Sequence, residues 1–92
     1  MQLSFKKNRL PSVGAKRLPG KLSELREGEQ GVLESIELPE AVSQRLMELG
    51  FIPGIAVTAA QSAPGGDPRV FRVDGTEIAL RRETALHLIL KQ

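Results

Sequence analysis

Asp74-Gly75 sits between two alternating runs, Val70-Phe71-Arg72-Val73 and Thr76-Glu77-Ile78-Ala79-Leu80, and this arrangement leaves the chain little choice. An Asp-Gly pair fills the two consecutive positive-φ positions of a type I′ turn, whose twist matches that of the strands it joins. A two-residue turn also sets the register: Val73 opposes Thr76, Arg72 opposes Glu77 and Phe71 opposes Ile78. Phe71, Val73, Ile78 and Leu80 then share one face, and Arg72 and Glu77 make an opposite-charge pair on the other. An antiparallel hairpin is therefore expected in the C-terminal half.

The second strong signal is a helix with a built-in stop. Pro39-Glu40 suits a helix start, with Pro at the first helical position and Glu near the positive end of the dipole. Val42, Leu46 and Leu49 fall at i, i+4 and i+7 and read as the apolar stripe, while Gln44, Arg45 and Glu48 point elsewhere. Gly50 in the left-handed C′ position would make Phe51 the C″ residue and Leu46 the C3 residue, the apolar pair of a Schellman ending. Pro53-Gly54 adds a turn that prevents the helix from continuing.

The remaining elements are short. Leu22-Ser23-Glu24-Leu25 reads as a helical turn whose two leucines pin it to a core. Gln30 to Leu38 reads as a strand with Val32, Ile36 and Leu38 on one face and Glu34 as a flaw. Ile55, Val57 and Ala59 alternate along another strand. Pro64-Gly65-Gly66-Asp67-Pro68 is a loop, Arg81 to Ala85 a helical turn, and Leu86 to Leu90 a closing strand. Short strands, tight turns and one helix after the first strand predict a mainly β fold, a small and highly bent barrel. A body of some seventy residues is close to the lower limit for a self-sufficient core.

Charge divides the chain. Residues 1–20 hold Lys6, Lys7, Arg9, Lys16 and Arg17 and no acid, a net of +5, whereas residues 21–92 hold 8 basic and 11 acidic residues, a net of −3. The expected organisation is a basic N-terminal arm, 1–20, and a barrel domain, 21–92. The arm is either a solvated leader or a segment drawn to anionic lipid or an acidic partner, where each cation near such a surface is worth roughly 1 kcal/mol. Zero cysteines remove disulfides, thiolate metal sites and cysteine nucleophiles. No Trp, no Tyr and three Phe remove most stacking platforms for single-stranded nucleic acid. The longest apolar run falls far short of the ~18–20 residues that span a bilayer, and the first twenty residues lack a secretory-type apolar stretch. A cytoplasmic binding domain is expected.

Arg45-Leu46-Met47-Glu48-Leu49-Gly50-Phe51-Ile52-Pro53-Gly54 resembles the helix-to-turn signature of the FeoA family of bacterial ferrous iron transport. Ala63 to Pro68 and Val73 to Arg81 resemble two further segments of that family in the same order, and the likeness runs from about Leu22 to Lys91. The resemblance implies an SH3-like β-barrel with a helical insertion. It also implies a non-enzymatic accessory of the membrane transporter FeoB, contacting its cytosolic G-protein region and held peripherally at the inner membrane through that partner. The basic arm departs from the family pattern. The alternatives are a basic-armed barrel that binds nucleic acid and a metal-sensing module like the C-terminal domain of metal-dependent repressors.

Candidate sites follow from both lines. After Leu46 is buried, so small a barrel cannot cover Leu49, Phe51 and Ile52 together, so Arg45, Glu48, Leu49, Phe51, Ile52 and Pro53 form a candidate partner surface; Phe51 is otherwise the Schellman contact. The loop Pro64, Gly65, Gly66, Asp67 and Pro68 is a second candidate, as an anion nest or as a plain loop tip. A P-loop is excluded by the absence of GxxxxGK[ST]. His87 and Glu83 offer at most two metal ligands, with His87 otherwise a structural residue of the last strand, and Arg81-Arg82 reads as a solvated face. No catalytic constellation, cofactor or metal centre is expected.

Overall fold

The computed structural model describes residues 18–92; the expectations placed on residues 1–17 lie outside them. A 3-10 turn, Leu22–Glu24, precedes strand β1 (Gln30–Ile36), helix α1 (Glu40–Leu49), strands β2 (Ala56–Ala59), β3 (Arg69–Val73) and β4 (Thr76–Leu80), the single turn α2 (Arg82–Ala85) and strand β5 (Leu88–Leu90). The strands pair antiparallel in the order β4-β3-β2-β1-β5. The sheet bends around one core holding Leu22, Leu25, Leu33, Leu46, Phe51, Val57, Phe71, Val73, Leu88 and Leu90. Lys21 bridges Ile89, and the Leu90 N–H reaches the Gly20 carbonyl at 2.9 Å, so the segment entering the fold covers the outer edge of β5.

The β3–β4 hairpin has the expected register, with Val73 opposite Thr76 and Phe71 opposite Ile78. Asp74 and Gly75 take φ values of 51° and 81°, the left-handed pair of a type I′ turn. Arg72 and Glu77 meet at 2.8 Å with both side chains about half exposed, a surface pair worth roughly 0.2–1 kcal/mol.

Strand β1 departs from the expected face. Val32 is exposed and Leu33 is fully buried. Leu33 pairs with Leu90 and Ser35 with Ile89, so two residues on β1 face a one-residue step on β5, a bulge at Glu34. The bulge switches the parity of the strand. Leu33 points inward before it and Ile36 and Leu38 pack on the core after it, which is why the latter two read correctly from the sequence and Val32 did not.

Helix α1 is also turned from its expected orientation. Only Ser43 and Leu46 of its ten residues are buried, while Val42 is 41% and Leu49 49% exposed. Ser43 occupies the inward position because its hydroxyl donates to the Leu38 carbonyl at 3.0 Å, satisfying the polar group it buries. Pro39 is the N-cap residue rather than the first helical one, with φ −54° and ψ 150°. The helix ends as read. Gly50 has φ 117°, its N–H meets the Met47 carbonyl at 3.0 Å, and the Phe51 N–H meets the Leu46 carbonyl at 3.0 Å, the two bonds of a Schellman motif. A Cβ at Gly50 would lie 3.3 Å from Val73 Cγ1. Gly50→Ala is therefore expected to cost about 1–2 kcal/mol, the left-handed penalty of a non-glycine residue, read as a lower urea midpoint at unchanged m-value.

Arg69 provides a tie that the sequence pattern does not announce. Its Nη1 donates to the Ser23 carbonyl at 2.9 Å, its Nη2 to the Leu25 carbonyl and its Nε to Ser62 Oγ at 3.3 Å. Its guanidinium carbon lies 5.5 Å from the centre of the Phe71 ring. One side chain thus joins the N-terminal turn, the β2–β3 loop and the core.

Candidate functional site

The rotation of α1 decides what the protein presents. Seven large apolar residues are exposed among the described ones, and Val42, Met47, Leu49 and Ile52 are four of them. At ~100° per residue, Val42 and Leu49 lie within about 20° of one another on the helix, with Arg45 roughly 40° from Leu49 on the same flank. Ile52, 50% exposed, and Pro53 are exposed just beyond the helix end. Arg45 and Glu48 are exposed, and no ion pair joins either to another described residue. Of the six residues expected at this surface, five are at the surface. Phe51 is not: it is fully buried, because the Schellman turn directs it back into the core beside Leu46. Val42 also belongs to the flank, 41% exposed, although the apolar stripe it shares with Leu46 predicts that it faces the core.

The Pro64–Pro68 loop is braced from within. Gly65 and Gly66 have φ of 87° and 83°, the Gly66 N–H donates to the Ala63 carbonyl at 2.8 Å, and Asp67 Oδ1 accepts the Arg82 N–H at 3.0 Å. The last bond caps the start of α2 from across the fold, a role that Arg81 cannot fill with its own side chain. A carboxylate at the loop's edge and a glycine N–H turned to the loop's own carbonyl both work against an anion nest.

His87 is exposed and precedes β5, which begins at Leu88 rather than Leu86; α2 ends at Ala85, before the turn that would stack His87 on Glu83. The expectation of His87 as a structural residue of the last strand is corrected in its place: it stands before the strand with an exposed side chain, and its backbone carbonyl accepts the Glu37 N–H at 2.8 Å. Among the described residues no three His, Cys, Asp or Glu side chains come together as a metal site. An open groove of about 570 Å³ crosses the outer face of the sheet past Gly28, Thr58, Ala60, Ser62 and Val70, and its Ser62 hydroxyl is held by Arg69.

A five-stranded antiparallel barrel with a helix inserted after its first strand defines a small domain of the SH3-like class. The comparisons agree. The FeoA domain model matches residues 20–91, and the chain belongs to the FeoA family. A Fe(2+) transport protein A/Fe(2+) transporter FeoB fusion protein of Porphyromonas gingivalis is 38% identical over 65 residues, 71% of this chain but 8% of that much longer protein. The solution structure of FeoA from Chlorobium tepidum superposes with a TM-score of 0.72 at 34% identity, covering 76% of this chain and 67% of that one. The zinc complex of FeoA from Stenotrophomonas maltophilia, described as a procaryotic SH3 domain protein, gives 0.68 at 35% identity, covering 77% and 88%.

Proposed function

We propose that this protein is a non-enzymatic accessory of bacterial ferrous iron transport that docks on the cytosolic G-protein region of a FeoB-type membrane transporter to support or regulate Fe(II) uptake. The observation that carries this reading is the apolar surface of α1 and the turn after it, where Val42 and Leu49 on the helix and Ile52 just past it are each 41–50% exposed, and only Ser43 and Leu46 of the helix are buried. Burying them needs a second surface, and an uncovered cluster of this kind marks a protein contact. The fusion relative, whose name joins the two transport proteins in one chain, supports a FeoB-type partner. No helix among the described residues is long and apolar enough to cross a membrane; in this reading the protein is held at the inner membrane through its partner.

Leu49→Asp tests the reading. Leu49 is half exposed, so the substitution is expected to leave the melting temperature within a few degrees while weakening binding to the transporter's cytosolic region more than tenfold, as removal of an apolar anchor does. Unchanged binding, measured by calorimetry or interferometry, would refute docking through this flank.

A further inference from the structure

We propose that the outer edge of β4 is a self-pairing surface. Two copies of this chain join their β4 strands antiparallel about a two-fold axis at Ile78, and the two sheets run on as one.

The two ends of the sheet are finished differently. At β5 the segment entering the fold lies along the outer edge, bonded from Gly20 to Leu90 and fastened by Gln92, whose Nε2 donates to the Leu18 and Pro19 carbonyls at 3.2 and 3.1 Å. At β4 no described residue takes that part. The two-residue turn makes Val73 and Thr76 a hydrogen-bonded pair, so Phe71 with Ile78 is the next such pair, and Arg72–Glu77 and Val70–Ala79 alternate with them. The Val70 carbonyl fixes this parity independently, because it is turned to the β2 side, where it accepts the Ala60 N–H at 2.8 Å. The N–H and C=O groups of Glu77 and Ala79 therefore point away from β3, and no described backbone group meets them. Both residues are exposed. Devices that blunt an edge are not used here. β4 carries no proline, no lysine and no bulge, and its one charge, Glu77, is already paired with Arg72.

The edge is complementary to itself. The outward groups stand one residue to either side of Ile78, so a two-fold axis there sets Glu77 of each copy opposite Ala79 of the other and pairs every outward N–H with an outward C=O. Charge and bonding select this register. An axis at Glu77 would put like charges directly across the ladder, which is unfavourable. An axis at Ala79 would set Glu77 against Arg81, whose carbonyl is taken by the Thr84 and Ala85 N–H groups at 3.0 Å, leaving the Glu77 N–H without an acceptor. With the axis at Ile78, each Glu77 faces a methyl group and the half-buried Ile78 side chains meet on the core side. Exposed Arg81 then falls opposite Gly75 of the second copy, beside its Asp74, so opposite charges meet at both ends. Pairing consumes this edge, the far edge is covered, and α2 ends the ladder at Arg82, so the assembly closes at two. The contact is small, and a transient, concentration-dependent dimer is expected.

Sedimentation equilibrium of the full chain from about 10 µM to about 1 mM, the range of weak association, tests this, with hydrogen exchange of the Glu77 and Ala79 amides at both ends of the range. The expected result is a monomer–dimer equilibrium in which both amides are protected only at high concentration. Ala79→Glu sets a second carboxylate opposite Glu77 of the other copy, and Ala79→Lys an ammonium. The dissociation constant is expected to rise about threefold or more for the first and to fall by a similar factor for the second, since each dimer holds two such pairs. Net charge alone predicts the reverse order, because the wild-type chain already carries +2. Ala79→Pro removes an outward N–H that β3 does not use and is expected to stay monomeric at ~1 mM with a cooperative melt. A wild-type chain that stays monomeric, larger assemblies, dimers of Ala79→Pro as tight as wild type, or shifts of the same sign for the two charge variants would each overturn the proposal. Should proline at 79 unfold the chain, the signs of the two charge variants decide.

Discussion

Phe51→Ala is expected to unfold the protein or bring it to the edge of unfolding at 25 °C. The ring is fully buried at the centre of the core, and Phe-to-Ala changes in such sites cost about 3–5 kcal/mol through lost transfer energy and the cavity left behind. Native domains hold only ~0.05–0.15 kcal/mol per residue, so in a chain this short a single ring is a large part of the whole. The position aggravates the loss, because Phe51 also closes the Schellman turn with Leu46 and so fixes where the chain leaves α1 for β2. The expected observation is a chain without cooperative thermal unfolding, or with a midpoint lowered by well over 10 °C, given the ~4–8 °C per kcal/mol typical of domains this size. A loss below about 1 kcal/mol would show that the core does not close around Phe51.

Arg69→Met is expected to cost about 2–3 kcal/mol although Arg69 is only partly buried. The aliphatic stem is preserved, so the loss isolates the guanidinium. Hydrogen bonds to charged groups contribute about 1.5–3 kcal/mol each when unshared, less when, as here, one head serves several acceptors. The Ser23 and Leu25 carbonyls would lose their donor, and the turn bearing Leu22 and Leu25 would loosen from the core. Hydrogen exchange at residues 20–25 should accelerate more than in the β3–β4 hairpin, and a uniform change across both segments would contradict this local role. Arg69→Lys should rescue little, since an ammonium cannot span the three acceptors in one plane.

These residues also mark where the sequence was legible. The hairpin was read residue by residue because its instructions are local: Asp74-Gly75 sets the turn and alternation sets the faces. The helix stop was equally plain, since Gly50, Phe51 and Leu46 stand at the spacings a Schellman ending requires. The family resemblance, carried by those same segments, led to the SH3-like barrel with its helical insertion. At the candidate surface, the sequence pattern locates Arg45, Glu48, Leu49, Ile52 and Pro53, all exposed, whereas Phe51 is core and the exposure of Val42 is hidden by its place in the apolar stripe.

What failed did so for one kind of reason. A helix with Val42, Leu46 and Leu49 in a stripe looks as if that stripe must face inward, and nothing local says that Ser43 will be taken in instead. That choice belongs to the small barrel, which has room for Leu46 and Phe51 but not for the whole stripe; the Ser43 hydroxyl it takes in is then satisfied by the Leu38 carbonyl. The Glu34 bulge likewise arises from pairing with β5, some fifty residues further along, and the Arg69 tie spans 44–46 residues to its carbonyls. The turns, the helix end and the hairpin register are legible in the sequence alone, because each depends on residues within a few positions of one another. Which face of α1 is buried, which side of β1 is core and which segments Arg69 ties together follow from the tertiary structure alone, because each depends on contacts between elements that local spacing does not encode.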